Sequence, residues 1–439
     1  MLNNMPIQSE NQTDDVPYPD TYYAYEIGEI KQRAMLQSAL VADVCVIGAG
    51  LAGLTTALEL LRKGKKVVVL DAYRVAWGAS GRNAGSVLAG FAEHADKIAA
   101  RVGVEVADKL HQLSLDGVAY VNRQIADLNM PDVIEGKGRF SIYRHGNTDA
   151  ALRFQKNGVE KFSQDITFYD TAKTREVLDS PKYRHALFLT DGLHIQPLRY
   201  ALGLAQEIER LGGMIYENSA ALNLTANAPG WTVGTKNGSV SANQVVLCTS
   251  AYDVKLYPKM SRAILRVATY VMATEPMAAQ LDTAIRTDAV VSDTRRSGDY
   301  YRRLKNGRLL WGGRITTRKS QPAKLSKMLQ NDVKSAFPQL NSLAISHVWS
   351  GLMGYTIHKM PLIGEYEKDL WVATAFGGHG LNTTAMAGDL IASALVEGDQ
   401  RYKLFASFKP VWAGGLFGRV GVQLAYWLMR WRDQNDERR

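Results

Sequence analysis

The hydrophobic and polar positions of the chain follow two different strand patterns. In the first, consecutive positions at the centre of a short run are apolar, which predicts parallel strands buried on both faces. These runs are 43–48, 66–71, 244–249 and 370–376. In the second, apolar and polar residues alternate, which predicts antiparallel strands with one covered face. These runs are 133–143, 267–272 and 300–312, and the first of them predicts a hairpin with Gly136 and Gly138 at its turn.

Segments with helical spacing separate these strands. They are 51–61, 95–128 (two helices), 148–164, 171–178, 198–211, 323–336 and 381–396. The alternation of buried strands with helices predicts an α/β fold, in which a Rossmann-like domain is interleaved with an α+β domain built on an antiparallel sheet. An apolar segment near the end, 411–431, predicts a C-terminal helical tail.

The first buried strand leads into a glycine-rich turn, Gly48–Gly53, and then into a helix. In a dinucleotide site of this kind, Gly48 permits the tight turn, Gly50 lets backbone N–H groups approach a pyrophosphate, and Gly53 lets the helix pack on the strand. Asp71 ends the next buried strand, 18 residues beyond Gly53, where a carboxylate can accept hydrogen bonds from ribose hydroxyls. The arrangement favours a dinucleotide site over a purely structural turn.

Two other glycine-rich segments point to the same ligand. The loop 77–85 follows the acidic residue and offers Ser80, Arg82 and Asn83 as donors, although such a loop could also be a solvated turn. Gly377–Gly380 joins the last buried strand to a helix, and a helix N-terminus beside glycines suits a polar or anionic ligand.

Together these segments resemble the D-amino-acid-oxidase-like flavoprotein superfamily, which includes glycine oxidase and sarcosine oxidase, and within it the gamma-glutamylputrescine oxidase group. The resemblance covers about residues 18 to 400 and rests on Thr21–Ala24, the glycine turn, Val75–Gly85 and Phe376–Gly380. It implies FAD rather than NAD as the dinucleotide.

The resemblance also implies a set of cofactor contacts. They are Gly48, Gly50, Leu51, Ala52, Gly53, Asp71, Ala72, Gly78, Ala79, Ser80, Gly81, Arg82, Asn83, Ala84, Gly85, Ala221, Thr249, Gly351, Gly378, His379, Gly380, Leu381 and Thr383. Sarcosine oxidases hold the flavin covalently through a Cys, whereas this chain has Met353 near the corresponding place. FAD is therefore expected to be bound non-covalently.

The resemblance implies substrate contacts on the antiparallel sheet and near the flavin. The expected substrate-binding residues are Tyr300, Tyr301, Arg302, Arg314 and Tyr355. The candidate catalytic residues are His379 and His358, of which His358 replaces a family Asp. The oxygen-activating Lys of sarcosine oxidases corresponds to Leu310, so the electron acceptor is either oxygen or a quinone-type molecule.

The implied reaction is oxidation of the C–N bond of an amine or amino acid, with a gamma-glutamyl amine as one candidate substrate. A hydride would pass to flavin N5, and the resulting imine would hydrolyse. One alternative is an amino-acid dehydrogenase that delivers electrons to a membrane quinone. Another is a flavin-binding sensor or assembly partner without turnover.

The predicted domains alternate along the chain. They are an N-terminal arm (1–42), three parts of the FAD-binding domain (43–130, 191–258 and 345–400), two parts of the substrate domain (131–190 and 259–344) and a basic tail (401–439).

Charge and cysteine content narrow the function classes. The 439 residues carry a net charge of +9, of which +5 falls on 401–439. A mildly basic body without a nucleic-acid motif does not suggest nucleic-acid binding. We also predict no metal site. The tail could pack on the body or contact an anionic membrane surface or a partner.

The two cysteines, Cys45 and Cys248, lie in apolar strands and are expected to be small core residues. The first basic residue is Lys31, so no secretory signal is visible. We expect a cytoplasmic protein, with peripheral attachment to the inner face of the membrane as an alternative.

Overall fold

A computed structural model of the chain describes residues 16–252, 256–296, 298–317 and 322–437. The first 15 residues of the predicted N-terminal arm lie outside the described residues. The helices are α1 (Tyr22–Ile27), α2 (Leu51–Arg62), α3 (Ala95–Val102), α4 (Val104–Asp127), α5 (Asp149–Phe162), α6 (Thr171–Val177), α7 (Pro197–Arg210), α8 (Pro258–Ser261), α9 (Ala278–Asp282), α10 (Leu325–Ala336), α11 (Gly380–Glu397) and α12 (Gly415–Asp436).

The strands form two large sheets. They are β1 (Ala39–Ile47), β2 (Val67–Leu70), β3 (Ser86–Val87), β4 (Ile134–Tyr143), β5 (Ile166–Tyr169), β6 (His185–Ile195), β7 (Met214–Tyr216), β8 (Asn223–Ala226), β9 (Trp231–Gly234), β10 (Ser239–Leu247), β11 (Leu265–Thr274), β12 (Val290–Asp293), β13 (Tyr300–Arg303), β14 (Leu309–Thr316), β15 (Ile345–Tyr355), β16 (Leu362–Glu367) and β17 (Leu370–Thr374).

The first sheet contains the four predicted runs of buried apolar residues, which lie in β1, β2, β10 and β17. Its order is β16-β17-β10-β1-β2-β7, and the β8–β9 hairpin joins it at β10. β1 pairs in parallel with β10 and with β2, so that Val46 lies between Val246 and Val69. All three valines are fully buried. The predicted parallel sheet is therefore confirmed, and burial on both faces explains its unbroken apolar runs.

Helices α2, α4 and α11 pack together beside this sheet. Leu54 and Leu58 of α2 are completely buried there. Gly388 lets α11 approach α2 closely, because a Cβ atom at this position would lie 2.6 Å from the Thr55 Cβ. The close packing fixes the N-terminal ends of α2 and α11, both of which face the cavity described below.

The second sheet has the order β15-β11-β14-β13-β12-β4-β6-β3, with β5 beside β6. It is antiparallel except where β12 pairs with β4. The predicted hairpin at 133–143 is wrong, because these residues form the single strand β4 and pair with β6. Gly136 and Gly138 lie at shifts in the β4–β6 register rather than at a turn.

The prediction of one polar face is also wrong for β11. All of its residues except Arg266 are buried, since both faces of this strand are covered. Tyr270 and Met272 belong to a core completed by α10, whereas Val271 and Ala273 belong to the main core.

The predicted domain boundaries do not coincide with the sheets everywhere. β3 and β15 belong to the second sheet, although the predicted boundaries place both in the FAD-binding part of the chain. Membership of a sheet does not by itself define a domain, so the domain boundaries remain a prediction.

Helix α12 lies against the second sheet through β11 and β14. Val422 and Tyr426 pack on a small core that includes Leu265 and Val267. None of the described helices is long and apolar enough to cross a membrane.

Candidate active site

A cavity of about 1100 Å³ lies between the glycine-rich loops of the first sheet and one face of the second sheet. Ligand pockets commonly have volumes of about 300–1000 Å³. The cavity is therefore large enough for a sizeable cofactor together with a small substrate.

Most of the predicted cofactor contacts line this cavity. Those that do are Gly48, Gly50, Leu51, Ala52, Asp71, Ala72, Gly78, Ala79, Ser80, Arg82, Asn83, Ala84, Ala221, Thr249, Gly351, Gly378, His379, Gly380 and Leu381. Four others lie outside the lining and support the loops. Gly53, Gly81 and Gly85 pack tightly against the carbonyl oxygens of Gly48, Ala76 and Ile195, and the Thr383 hydroxyl donates to the His379 carbonyl oxygen.

The turn Gly48–Gly53 is closed by contacts that leave no room for side chains. Gly48 has a φ of +109°, and its N–H donates to the Leu70 carbonyl oxygen at 2.7 Å. A Cβ atom on Gly53 would lie 1.9 Å from the Gly48 carbonyl oxygen. The N–H of Leu51 donates to the Ser80 Oγ at 3.0 Å, which joins the second loop to the start of α2.

Asp71 holds the end of β2 against this turn. Its Oδ2 accepts from the Ala49 N–H at 2.6 Å, and its Oδ1 accepts from the Tyr73 N–H at 2.8 Å. Burial raises the pKa of this carboxyl to about 6. Each oxygen retains a further lone pair, so the carboxylate can also accept hydrogen bonds from a ligand in the cavity.

Arg82 carries a buried donor without a partner. Its Nε donates to the Trp77 carbonyl oxygen at 2.8 Å, and its guanidinium lies 4.3 Å from the centre of the Trp77 ring. The buried Nη2 atom has no hydrogen-bond partner among the described residues. An orphaned donor beside a glycine cradle fits a cofactor with many acceptor atoms, such as FAD.

The third glycine segment forms the start of α11. Gly377 has a φ of +61°, and His379 is the residue before the first turn of the helix, with no side-chain cap. The unpaired N–H groups of this turn are available to a ligand. Burial, together with the charge of Arg139, lowers the pKa of His379 to about 4, so this imidazole is neutral near pH 7.

The opposite wall of the cavity is a polar row across the second sheet. Ser141 of β4 pairs with Ser292 of β12, which pairs with Tyr300 of β13. The Tyr300 hydroxyl lies 3.1 Å from Thr269 Oγ1. All four residues, together with Tyr355, line the cavity. Tyr300 and Tyr355 are therefore the two predicted substrate contacts that the structure brings to the cavity.

Sequence reasoning missed Arg139, which lies two residues before Ser141 on the same face of β4 and lines the cavity. It makes no hydrogen bond or ion pair with any described residue, and its buried Nε has no partner. Burial lowers the pKa of its guanidinium, which nevertheless remains charged at neutral pH. A single strand over 133–143 would have placed Arg139 with Ser141, but the predicted hairpin put it beside a turn.

Tyr301 and Arg302 do not reach the cavity, which corrects the prediction for both. Tyr301 points to the other face of β13 and stacks on Trp311, with ring centres 4.6 Å apart. Arg302 is 1% exposed. Its guanidinium lies 2.7 Å from His194 Nδ1 and donates to the Ile195 carbonyl oxygen at 3.0 Å.

Arg314 and His358 are also placed away from the cavity, so their predicted roles are corrected. The Arg314 fork is bound by both carboxylate oxygens of Asp332. His358 is 8% exposed. Its Nδ1 accepts from the Met360 N–H at 3.2 Å, and its Nε2 donates to the Lys409 carbonyl oxygen at 3.2 Å. His358 therefore fastens the start of the C-terminal segment to the body.

Comparison with known proteins identifies the family of the chain. The family described as DAO, FAD dependent oxidoreductase, matches residues 43–394. The chain belongs to this family. It is an FAD-dependent oxidoreductase, and the resemblance drawn from the glycine-rich segments is confirmed.

Relatives and solved structures agree with this assignment. A Haemophilus influenzae protein named probable oxidoreductase OrdL is 33% identical over 405 residues, covering 89% of this chain and 93% of the relative. The Escherichia coli gamma-glutamylputrescine oxidoreductase is 30% identical over 393 residues, covering 89% and 92%. Glycine oxidase from Geobacillus kaustophilus shares the fold, with a TM-score of 0.72 at 18% identity over 85% of this chain and 99% of that one.

Neither cysteine of this FAD-dependent oxidoreductase is paired, and both are buried, as predicted. Cys248 lines the cavity, but burial raises the pKa of its thiol to about 12. Bond formation requires the thiolate, so the residues present favour non-covalent binding of FAD.

The first prediction concerns the glycine turn. Gly53→Ala should weaken FAD binding about ten- to hundredfold, because relief of the clash with the Gly48 carbonyl must distort the cradle. Titration of the apoprotein with FAD, followed by flavin fluorescence, measures the change. Gly421→Ala is the matched control, since nothing lies within 4 Å of its Cβ position. Equal affinities in the two variants would contradict this account of the turn.

The second prediction concerns pH. The raised pKa of Asp71, about 6, means that the carboxylate is ionised above this pH and protonated below it. FAD affinity should therefore fall about tenfold between about pH 7 and pH 5, as the acceptor for the ribose hydroxyls becomes protonated. The same titration in Asp71→Asn should give weaker binding with little change over this range. An unchanged pH dependence in the variant would assign the titration to another group.

Proposed function

We propose that the protein oxidises the C–N bond of a substrate that carries both an amine and a carboxylate. The observation that carries this proposal is the position of Arg139 in the cavity that the cofactor loops line. A cationic side chain without a protein partner in such a place favours a ligand that brings the negative charge.

The named relatives support the same substrate class. One is named gamma-glutamylputrescine oxidoreductase and another glycine oxidase. Glycine and a gamma-glutamyl amine each combine an amine with a carboxylate. We favour a gamma-glutamyl amine, because the relative of that name is the more similar of the two and the cavity has room for a long substrate.

The proposed work of the protein is to hold and orient the substrate. FAD, when bound, supplies the electron sink for oxidation of the carbon beside nitrogen. Arg139 binds the carboxylate with its planar fork. The hydroxyls of Tyr300 and Tyr355 line the same space and offer hydrogen bonds to the substrate.

His379 is proposed to receive the amine end. The lowered pKa of His379, about 4, keeps the ring neutral, so it can accept a hydrogen bond from the substrate nitrogen but is a weak base. The ammonium proton is therefore expected to leave to water rather than remain on this residue. His379 is a positioning residue for the amine in this proposal.

The proposed electron acceptor is oxygen or a quinone-type molecule. Leu310, the residue at the position of the sarcosine oxidase Lys, is completely buried in the main core. No charge from this position reaches the cavity. Helix α12 exposes large apolar side chains, among them Phe417 and Trp427, which offer a contact for a membrane or a partner protein.

The third prediction tests the reaction class. The protein loaded with FAD should lose its visible flavin absorption when gamma-glutamylputrescine is added without oxygen, because the substrate transfers electrons to the cofactor. Putrescine, glycine, sarcosine, proline and D-amino acids serve as comparisons. Reoxidation by air or by a soluble quinone then separates the two acceptors. A flavin that none of these compounds bleaches would contradict the proposal and favour a non-catalytic flavin protein.

The fourth prediction concerns Arg139. Arg139→Gln should raise the substrate dissociation constant about ten- to hundredfold, because a charged hydrogen-bond partner of the carboxylate is lost. Arg139→Lys should give a smaller loss. The concentration dependence of anaerobic bleaching gives this constant separately from the rate of reduction.

Arg314→Gln is the matched control, because Arg314 is held by Asp332 outside the cavity. It should leave substrate affinity unchanged, while FAD content shows that each variant retains its cofactor. Equal losses in Arg139→Gln and Arg314→Gln, or none in either, would exclude Arg139 as the carboxylate contact.

A further inference from the structure

One side of α12 is a continuous apolar surface that faces away from the protein. Leu416, Phe417, Val420, Leu424, Trp427 and Trp431 are all exposed, with Phe417 at 86% and Trp431 at 60%. Their spacings of one, three and four residues place them on a single helical face. We call these six residues the outer face of α12. Large aromatic side chains rarely remain this exposed without a binding partner.

Side chains outside this face fix α12 to the body. The Gln423 side chain accepts from the Thr317 N–H at 3.0 Å. Arg296 pairs with Asp433 at 2.9 Å, and Arg295 pairs with Glu437 at 3.0 Å. The helix cannot turn its outer face inward without breaking these contacts.

The charges of the helix favour an anionic surface. Asp433 and Glu437 are neutralised by arginines of the body. Arg432 is exposed next to Trp431 on one flank of the outer face, and residues 401–439 carry a net charge of +5. Arg430, on the other flank, is half-buried beside Asp332 and Asp299 of the body. Two copies packed through this face would bring their arginines together, whereas an anionic bilayer would attract them.

We propose that α12 lies flat on an anionic membrane surface, with its outer face among the lipid headgroups and upper acyl chains. A helix with Trp, Phe and Leu on one face and flanking arginines is suited to this position. Its 22 residues extend about 33 Å along the surface at about 1.5 Å per residue. The proposal does not rest on the proposed reaction, since lipid binding can be measured without turnover.

The placement also brings the cavity close to the lipid. Val422 and Tyr426 share a core with Ile315, Met353 and Tyr355, and the last three residues line the cavity. One helix thickness, about 10 Å, thus separates the bilayer surface from the cavity wall.

The experiment is cosedimentation of the full chain, loaded with FAD, with vesicles. One set is phosphatidylcholine with roughly 30% phosphatidylglycerol, and the other is phosphatidylcholine alone. We expect binding to the anionic vesicles, weaker binding at high salt, and little binding to the neutral vesicles. The double variant Phe417→Gln and Trp427→Gln should bind the anionic vesicles at least about tenfold more weakly, because two large apolar contacts with the lipid are lost.

The matched control replaces two exposed apolar residues elsewhere, Val104→Gln and Leu152→Gln, which are 60% and 45% exposed. It should bind like the unaltered protein. Circular dichroism and flavin content verify that both double variants are folded. Failure of the unaltered protein to bind anionic vesicles would overturn the proposal, as would equal binding by both double variants. A dimer in lipid-free solution that is lost only in the α12 variant would also overturn the proposal, because a second copy of the chain would then cover the outer face.

Discussion

The buried guanidinium of Arg302 connects the parts of the molecule that form the cavity. It reaches from β13 to the Ile195 carbonyl oxygen at the end of β6 and to the Tyr23 hydroxyl of α1. Its third neighbour is His194, whose pKa is lowered to about 3 by burial and by Arg302 itself. The imidazole is therefore uncharged, and its Nδ1 can accept a hydrogen bond from the guanidinium. A buried cation needs such acceptors on every side. The arm, the second sheet and the cofactor loop at Gly85 are therefore held in one arrangement.

Three arginines near the cavity differ in how far the protein satisfies them. Arg302 has three acceptors from the chain, at His194, Tyr23 and Ile195, although its buried Nε has no partner among the described residues. Arg82 has one backbone acceptor and an aromatic ring but retains an unpartnered nitrogen. Arg139 has no partner among the described residues. The number of acceptors that the fold places around each guanidinium thus determines whether it holds the structure together or remains available to a ligand in the cavity.

Local features of the chain were predictable from sequence. The glycine turn and Asp71 interact through short-range geometry, and their spacing alone indicates the dinucleotide cradle. The parallel strands were equally recognisable, because burial on both faces requires uninterrupted apolar residues.

Features that depend on distant partners were not predictable. The sequence of β4 predicts a hairpin because the glycines at the register shifts resemble turn residues, whereas the true partner strand, β6, lies about fifty residues later. Nothing near Arg314 in sequence shows that Asp332 of the following helix will bind it. The position of Arg139 is not predictable for the same reason, since the lack of a hydrogen-bond partner is visible only in the folded chain.

Glu437, the residue that follows α12, contributes to the charge at the cavity wall. Glu437 shares Arg144 and Arg295 with Asp293 and Asp299, and all of these except Arg144 and Glu437 line the cavity. A protein shortened before residue 437 would keep its cofactor loops. Arg144 and Arg295 would then face two carboxylates, those of Asp293 and Asp299, in place of three. This part of the cavity wall would become more positive by one charge, so it would favour more acidic ligands although none of the lining residues had changed.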